Sequence, residues 1–181
     1  MINVICVHTA MALVEPLTKT FAELLPEVNV NHIADSSLIK EVIANNAVTP
    51  AVRRRLLAYY NAAADAGADV VFNTCSSVGD VADYGNTYAR IPVFRIDQPM
   101  AAQAVANYDR IGVISTLPTT LDPTCRLLQN EAKKAGRTVT LVEGLANGAF
   151  AAGQSGDGET HDRLIAEAAG RIASQVDAFV L

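Results

Sequence analysis

Short apolar segments alternate with longer amphipathic segments along almost the whole chain. The first of them, Ile2-Asn3-Val4-Ile5-Cys6-Val7, is apolar at nearly every position, which is typical of a strand buried on both faces of a parallel sheet. The longer segments carry apolar residues at helical spacing, as Val52, Leu56 and Tyr60 do. Strands that alternate with helices predict an α/β fold with mainly parallel sheets.

The same patterns predict the position of each strand and helix along the chain. The strands are predicted at about residues 2–7, 28–33, 70–72, 92–96, 111–115, 138–142 and 177–181. The helices are predicted at about residues 12–25, 36–44, 50–66, 76–89, 99–107, 122–136 and 159–176. Thr49-Pro50 and Asp122-Pro123 mark two of the helix starts, because a capping residue followed by proline is typical of the first helical turn. Residues 143–158 are predicted to form a surface loop or lid, since their glycines fit no phosphate-binding pattern.

Composition excludes several classes of partner. The net charge is −5, and the only run of basic residues, Arg53-Arg54-Arg55, is expected to form the solvated face of a helix, so nucleic acid and anionic membranes are not expected partners. No apolar stretch approaches the ~20 residues of a membrane span, and the chain starts directly in a predicted strand rather than in a signal region, so we expect a soluble, cytoplasmic protein. The three cysteines show no metal-ligand spacing, which suits a reducing compartment and predicts no zinc site.

An internal repeat divides the chain into two related halves. The first strand and Thr9 align with the strand before Thr116 at an offset of 107, and Asp69 aligns with Asp177 at an offset of 108. We therefore expect two α/β lobes, residues 1–97 and residues 98–181. The counterpart of Cys75 would fall at position 183, so the second lobe is expected to be cut off before its own active-site turn and the natural chain to continue.

Cys75 lies where a short apolar strand stops in the polar sequence Asn73-Thr74-Cys75-Ser76-Ser77. This pattern predicts a strand followed by the first turn of a helix, whose partial positive charge would lower the thiol pKa from ~8.5 and favour a reactive thiolate. The free N–H groups of such a turn could also hold a carboxylate. The alternative is a small, buried packing cysteine. That second role is the one expected for Cys6 and Cys125.

The sequence around Cys75 resembles the aspartate/glutamate/hydantoin racemase superfamily, and the resemblance spans nearly the whole chain. His8-Thr9, Asp97-Gln98-Pro99 and Ser115-Thr116-Leu117-Pro118-Thr119-Thr120 also contribute to it. The resemblance implies two pseudo-symmetric three-layer α/β lobes with the active site in the cleft between them. It also implies cofactor-independent chemistry, in which one cysteine from each lobe moves the α-proton while hydroxyls and backbone amides bind the carboxylate. Cys75 matches the first catalytic cysteine; where the amino-acid racemases commonly carry an acidic residue and a serine, this chain has His8-Thr9.

The candidate site residues follow from this resemblance and from their places at strand ends. Cys75 is the predicted catalytic residue, and the predicted substrate-binding residues are His8, Thr9, Asn73, Thr74, Ser76, Ser77, Thr116, Pro118, Thr119 and Thr120. Because they follow the carboxyl ends of parallel strands, we expect them to converge on one cleft. His8 is either an acid–base group or a satisfied structural histidine, and one of the threonines is expected to cap the helix that follows.

Three functional classes remain open. The first is a cofactor-independent racemase of an aspartate/glutamate-like or hydantoin-like amino acid. The second is a related thiol-dependent decarboxylase or other lyase acting next to a carboxylate, and the third is a non-catalytic carboxylate-binding module. Pyridoxal phosphate is not expected, because all four lysines lie within predicted helices away from strand ends. The expected partners are a small carboxylate-bearing substrate and further copies of the chain, in a dimer or higher oligomer.

Overall fold

A parallel sheet forms the centre of each of two units of the chain. The computed structural model describes all 181 residues, and their contacts divide them into Met1–Ile96 and Asp97–Leu181. Every strand pairing is parallel. The predicted α/β class with parallel sheets is therefore confirmed.

The first unit contains four strands and four α-helices. In chain order they are β1 (Ile2–His8), α1 (Val14–Leu24), β2 (Val28–Ala34), α2 (Ser36–Asn45), α3 (Pro50–Asp65), β3 (Val70–Asn73), α4 (Gly79–Tyr88) and β4 (Val93–Arg95). Single 3-10 turns cover Met11–Leu13 and Ser76–Val78. The sheet order is β2-β1-β3-β4, so the ends of β1 and β3 lie side by side at its centre.

Helices cover the two faces of this first sheet differently. Successive side chains of a strand point to opposite faces, so Ile5 and Val7 of β1 enter the main core with the buried residues of α2, α3 and α4. Cys6, on the opposite face, is paired in register with Phe72 of β3. The ring of Phe72 meets Phe21 of α1 edge-on with centroids 6.0 Å apart. Helix α1 therefore covers the face that carries Cys6.

Helix α3 connects this core to the end of β3. Its start is the predicted one: the Thr49 hydroxyl accepts a hydrogen bond of 3.1 Å from the Val52 N–H, and Pro50 occupies the first turn, where its missing N–H is not needed. The predicted apolar stripe, which includes Tyr60, is fully buried. The Tyr60 hydroxyl donates a hydrogen bond of 3.0 Å to Asn73 Oδ1, which ties α3 to the end of β3.

The second unit contains three strands and four helices. In chain order they are α5 (Gln98–Asn107), β5 (Arg110–Ser115), α6 (Pro118–Lys134), β6 (Thr140–Leu145), α7 (Ala149–Gln154), α8 (Gly158–Ile172) and β7 (Ala178–Val180), with a 3-10 turn at Ala173–Gln175. The sheet order is β6-β5-β7. Ile111 and Val113 pack with α5 and α6, whereas Ile114 packs with α7 and α8 on the other face. This unit is therefore a three-layer α/β sandwich.

Two predicted boundaries in the second unit are wrong. Helix α6 begins at Pro118 rather than near Asp122, and Pro123 lies inside it. Both prolines fit an early helical position, and Pro118 takes the first one, where its fixed φ is favourable. Residues 143–158 are not a plain loop, because β6 extends to Leu145 and α7 follows. Gly148, with a φ of 86°, ends the strand connection and lets the helix-forming run at 149–152 begin.

The two halves share a hydrogen-bonded pair at the amino-terminal edge of each sheet. The Asn3 N–H donates to the Asp69 carboxylate, and the Asp69 N–H donates to the Asn3 carbonyl, each over 2.8 Å. In the second unit the Arg110 N–H donates to the Asp177 carboxylate over 3.0 Å, and the Asp177 N–H donates to the Arg110 carbonyl over 2.8 Å. The sequence offsets of 107 and 108 therefore join positions with the same role. No helix has both the length and the apolar composition that a membrane span requires.

We expect Asp35→Asn to destabilise the first unit in a pH-dependent way. Burial alone would raise the pKa of Asp35, but hydrogen bonds from Ser37, Tyr59 and Arg55 outweigh it and lower the pKa to about 2. A carboxyl whose folded pKa lies below its ordinary value of 3.8 stabilises the fold above about pH 4, and this stabilisation is lost as the pH falls toward 2. The variant should lose about 1–2 kcal/mol of unfolding free energy at pH 7.

Urea unfolding at pH 7, 4 and 3 measures this difference. Asp65→Asn is the matched control, because Asp65 is an exposed partner of Arg90 whose loss should change stability by less than about 0.5 kcal/mol. A deficit of Asp35→Asn that stayed constant from pH 7 to pH 3 would contradict the prediction.

Candidate functional site

Seven of the predicted site residues gather at the carboxyl ends of β1 and β3. Val7 and Asn73 are register partners in the two adjacent strands. The residues that follow therefore meet at one edge of the sheet, the edge where open α/β sheets bind ligands. The seven are His8, Thr9, Asn73, Thr74, Cys75, Ser76 and Ser77.

Cys75 is held at the start of the 3-10 turn Ser76–Val78 and is partly exposed. The Thr9 and Ser77 hydroxyls and the backbone N–H groups of Ser77 and Val78 each lower the pKa of its thiol, and the Val78 N–H also donates to the Cys75 carbonyl over 3.3 Å. These groups follow two adjacent strands, β1 and β3. The arrangement can stabilise a thiolate at sulfur, or negative charge that develops on a substrate oxygen close to it.

The predicted low pKa of Cys75 is wrong for this protein without a ligand. Burial raises the pKa of the thiol above its ordinary value, and hydrogen bonds from Thr9, Ser77 and Val78 lower it by less. The expected helix N-terminus is only a three-residue 3-10 turn, and α4 does not begin until Gly79. The dipole of one short turn is small, so desolvation decides the sign. Cys75 therefore rests as a thiol.

Three of the predicted substrate-binding residues use their polar atoms within the protein. Asn73 donates from Nδ2 to the Cys75 carbonyl over 3.1 Å while its Oδ1 accepts from Tyr60. Thr74 Oγ1 donates to the Val7 carbonyl over 3.1 Å and lies 2.8 Å from His8 Nδ1. His8, Asn73 and Thr74 are also buried. These residues shape the turn that holds Cys75, and the groups at the thiol itself are Thr9 and Ser77.

Arg95 is a site neighbour that the sequence analysis missed. It ends β4, its side chain is 1% exposed, and its Nη1 lies 2.7 Å from Asp83 Oδ2. A Cβ at Gly79 would collide with its guanidinium, so glycine at the start of α4 is what lets the arginine lie there. The sequence feature that could have indicated Arg95 is an arginine at the end of a predicted strand, two residues before Asp97.

The other predicted residues lie in the second unit, at the carboxyl end of β5. Thr116, Pro118, Thr119 and Thr120 follow that strand. None of these threonines caps α6: the capping position is Leu117, which has no side-chain hydrogen bond, and the Ser115 hydroxyl bonds the Leu117 carbonyl over 2.8 Å instead. Thr119 Oγ1 is buried without a hydrogen-bond partner, which is uncommon for a buried hydroxyl and leaves it able to bind a ligand.

A cluster of three side chains on the α1 face of the first sheet was also missed. The ligand atoms of Cys6, His8 and His32 all lie within 4.8 Å of one another, and His8 Nε2 is 2.8 Å from His32 Nδ1. Burial, and to a lesser degree the charge of His32, lowers the pKa of His8 to about 4, so His8 is neutral at neutral pH. The linear spacing predicted no metal site because one of the three residues comes from the next strand. The usable signal was two potential ligands at alternate positions of one strand.

We expect Cys75 to be the cysteine that reacts first with alkylating agents. Burial raises the pKa of all three thiols, but Cys6 and Cys125 are buried residues whereas Cys75 is partly exposed, so access to the reagent favours Cys75. Cys75→Ser should therefore abolish most iodoacetamide labelling of the native protein at pH 8, whereas Cys125→Ser should leave it unchanged. Mass spectrometry of the labelled peptides measures this. Undiminished labelling in Cys75→Ser would show that the thiol is misassigned.

We expect Thr9→Val to make Cys75 less reactive. The substitution removes the hydroxyl that lowers the pKa of this thiol, so less thiolate is present at a given pH. A lost hydrogen bond of ~0.5–1.5 kcal/mol corresponds to alkylation that is roughly two- to tenfold slower. Thr9→Ser should restore the rate, and Thr20→Val, which removes a hydroxyl on the exposed side of α1, should not change it. Equal rates in Thr9→Val and the unsubstituted protein would show that this hydrogen bond has no effect on the thiol.

Comparison with known proteins agrees with the fold. In a comparison with solved structures, the glutamate racemase of Francisella tularensis subsp. tularensis SCHU S4, in complex with D-glutamate, superposes with a TM-score of 0.70 at 13% identity, covering 99% of this chain and 76% of that one. The glutamate racemase of Aquifex pyrophilus gives a TM-score of 0.55 at 18% identity, covering 78% of this chain and 55% of that one. These likenesses show a common fold. No curated protein matches by sequence.

Family membership is shown by the sequence itself. Residues 2–181 match the model of the Asp/Glu/Hydantoin racemase family, which is nearly the whole chain. The parallel sheets agree with that assignment. The chain belongs to the Asp/Glu/Hydantoin racemase family.

Proposed function

We propose that this protein is a cofactor-independent amino-acid racemase in which Cys75 exchanges the α-proton of the substrate. The observation that carries the proposal is the position of Cys75, a partly exposed residue at the carboxyl end of β3 whose thiolate is favoured by the Thr9 and Ser77 hydroxyls and by two backbone N–H groups. Membership in a racemase family agrees with it. The substrate class is an amino acid of the aspartate/glutamate or hydantoin type.

The chemistry requires this kind of surrounding. A proton next to a carboxylate is very weakly acidic, and a thiolate removes it only if the enediolate that forms is stabilised by donors already in place. At the Cys75 turn these donors are the hydroxyls of Thr9 and Ser77 and two backbone N–H groups. A bound substrate oxygen that took over part of this set would gain the same stabilisation.

Each direction of the reaction uses a different form of Cys75. As a thiol, its resting form, it donates its proton to one face of the planar enediolate and becomes a thiolate. In the reverse direction the thiolate takes the proton back. Inversion needs a second acid–base group on the opposite face of the α-carbon, because one sulfur reaches only one face. His8 does not fill this role in the proposal, because it is buried and both of its ring nitrogens are engaged within the protein.

A decarboxylase is the second candidate, because a single Cys75 thiol is sufficient for its proton-transfer step. In that reaction a malonate loses carbon dioxide and leaves an enediolate, which takes a proton from the Cys75 thiol at carbon. The thiolate then takes a proton from solvent, so one thiol is sufficient. A group that rests as a thiol is already in the form that this step uses.

We expect solvent deuterium to enter the α-position of a substrate amino acid in the presence of the full-length protein and without added pyridoxal phosphate. The assay follows the α-proton by NMR in D₂O for aspartate, glutamate and a panel of hydantoins, and follows optical rotation to detect inversion. A general acid–base group contributes ~10²–10⁴-fold, so Cys75→Ser should lower turnover by about that factor with little change in substrate affinity. Cys125→Ser is the matched control and should retain activity.

Other results of this assay would support a different function. Exchange that survives in Cys75→Ser, or that requires pyridoxal phosphate, would refute the racemase mechanism. Carbon dioxide released from malonates, without exchange in amino acids, would assign the decarboxylase. A substrate that binds while neither reaction occurs would identify a carboxylate-binding module.

A further inference from the structure

Three potential metal ligands lie on one face of the first sheet. Cys6 and His8 are alternate residues of β1, so both side chains point to the same face. His32 of β2 is the register partner of Cys6, which puts its side chain beside that of Cys6 on this face. The three ligand atoms, Cys6 Sγ and one ring nitrogen from each histidine, lie within 4.8 Å of one another. The cluster is separate from the Cys75 sulfur and its donors.

Each histidine is fixed by a threonine on its outer side. His8 Nδ1 lies 2.8 Å from Thr74 Oγ1, and that hydroxyl donates to the Val7 carbonyl. His32 Nε2 lies 2.9 Å from Thr18 Oγ1, and that hydroxyl donates to the Val14 carbonyl over 2.7 Å. A hydroxyl that gives its proton to a carbonyl can only accept from the imidazole. While both hydroxyls donate to their carbonyls, both histidines carry their protons on the outer nitrogens.

In that arrangement the inner nitrogens have lone pairs that face each other, whereas an imidazole protonated on its inner nitrogen would donate a hydrogen bond to the other ring. His8 Nε2 and His32 Nδ1 are 2.8 Å apart, and two lone pairs at that distance repel unless a positive charge lies between them. Without such a charge, one threonine must turn its proton from its carbonyl to the imidazole. With a cation, both threonines keep their carbonyl bonds. Histidines that bind metal characteristically donate their outer N–H to such a fixed partner.

The duplicated half of the chain shows that the fold does not need these residues. In β5 the counterparts of Cys6 and His8 are Val113 and Ser115, at the offset of 107. Val113 is paired with Glu143 of β6 in the way that Cys6 is paired with His32. The second sheet is therefore built with an apolar residue at the first ligand position, and packing alone gives no reason for a thiol and two imidazoles in the first.

We propose that Cys6, His8 and His32 bind a Zn²⁺ ion. One thiolate and two imidazoles are ligands that Zn²⁺ prefers, and three protein ligands leave a fourth tetrahedral position for water, which can enter beside the partly exposed His32. Zn–N bonds of ~2.0–2.1 Å require inner nitrogens ~3.3 Å apart, so the two rings must separate by about 0.5 Å. Binding replaces the thiol proton of Cys6, which leaves to solvent.

Such an ion would hold together the strand ends that carry the candidate site. His8 precedes Thr9, and Thr74, the outer partner of His8, precedes Cys75. Zn²⁺ bound at the cluster therefore stabilises the alignment of these two turns. Its role is structural, and its presence does not depend on the racemase proposal.

Titration of the metal-depleted full-length protein with Zn²⁺ and with Co²⁺ tests the site. We expect one ion per chain by calorimetry, a higher melting temperature with Zn²⁺, and a thiolate-to-cobalt charge-transfer band in the near ultraviolet. His32→Ala and Cys6→Ser should lose these responses. Thr18→Val removes only the outer partner of His32 and should weaken binding about 10–100-fold. Far-ultraviolet circular dichroism confirms that each variant is folded.

Matched controls separate this site from the other cysteines and histidine. Cys75→Ser, Cys125→Ser and His161→Ala should bind Zn²⁺ and Co²⁺ like the unsubstituted protein. No saturable binding, binding unchanged in both His32→Ala and Cys6→Ser, or a cobalt band that disappears in Cys75→Ser would each overturn the proposal. If Cys6→Ser does not fold, His32→Ala on the partly exposed strand β2 and Thr18→Val on α1 decide the question. Loss of racemase activity in Cys75→Ser with retained metal binding would keep the two proposals distinct.

Discussion

The pairing of β1 with β3 is the interaction on which the candidate site depends. Beyond the register pair Val7–Asn73, the Thr74 backbone N–H and hydroxyl both donate to the Val7 carbonyl, over 3.2 and 3.1 Å. These two hydrogen bonds to one carbonyl fix where β1 and β3 end relative to each other. Thr9 and Cys75 come from positions 66 residues apart and are brought together only by this alignment.

The electrostatics of Cys75 are decided by a balance between burial and donors. Desolvation disfavours the thiolate, and the nearby hydroxyls of Thr9 and Ser77 and N–H groups of Ser77 and Val78 favour it without reversing the direction of the pKa shift. The same competition goes the other way at Asp35, where hydrogen bonds outweigh burial. A carboxylate at the start of α2 has a partner for each oxygen, whereas a sulfur forms weaker hydrogen bonds. The difference explains why similar surroundings give a charged group in one place and a neutral one in the other.

Most of the fold could be predicted from the sequence, because it rests on local patterns. Apolar runs placed the strands, and the Thr49-Pro50 start and the buried stripe of α3 were confirmed in detail. The predicted start of α6 was wrong because Pro118 and Pro123 both fit the first turn of a helix, and the sequence does not show which of them begins it. Helix α7 was missed because it is six residues long and set among glycines. These errors arise where local signals are ambiguous.

The site was less predictable, since it depends on distances across strands. The sequence placed Cys75 and its hydroxyl neighbours at a strand end, but not the length of the turn that follows, and so it gave the wrong direction for the thiol pKa. Nor could the sequence show that the side chain of Asn73 is hydrogen-bonded to Tyr60, and that of Thr74 to Val7 and His8. His32 joins Cys6 only through the register of β1 with β2, which no pattern within one segment reveals.

The paired hydrogen bonds of Asn3 with Asp69 and of Arg110 with Asp177 lie at the strand ends that align the sheets, whereas the candidate site lies at the other ends. Both pairs lie at the amino-terminal edges of the sheets, and both fix the alignment of a central strand with its neighbour. The candidate site of the first unit lies at the opposite edge, about five residues along β1. Strand alignment is thus set at a distance from the residues that would meet a substrate. The two halves could diverge at one end of their strands, to Cys6 and His8 in one and Val113 and Ser115 in the other, while the alignment at the other end stayed the same.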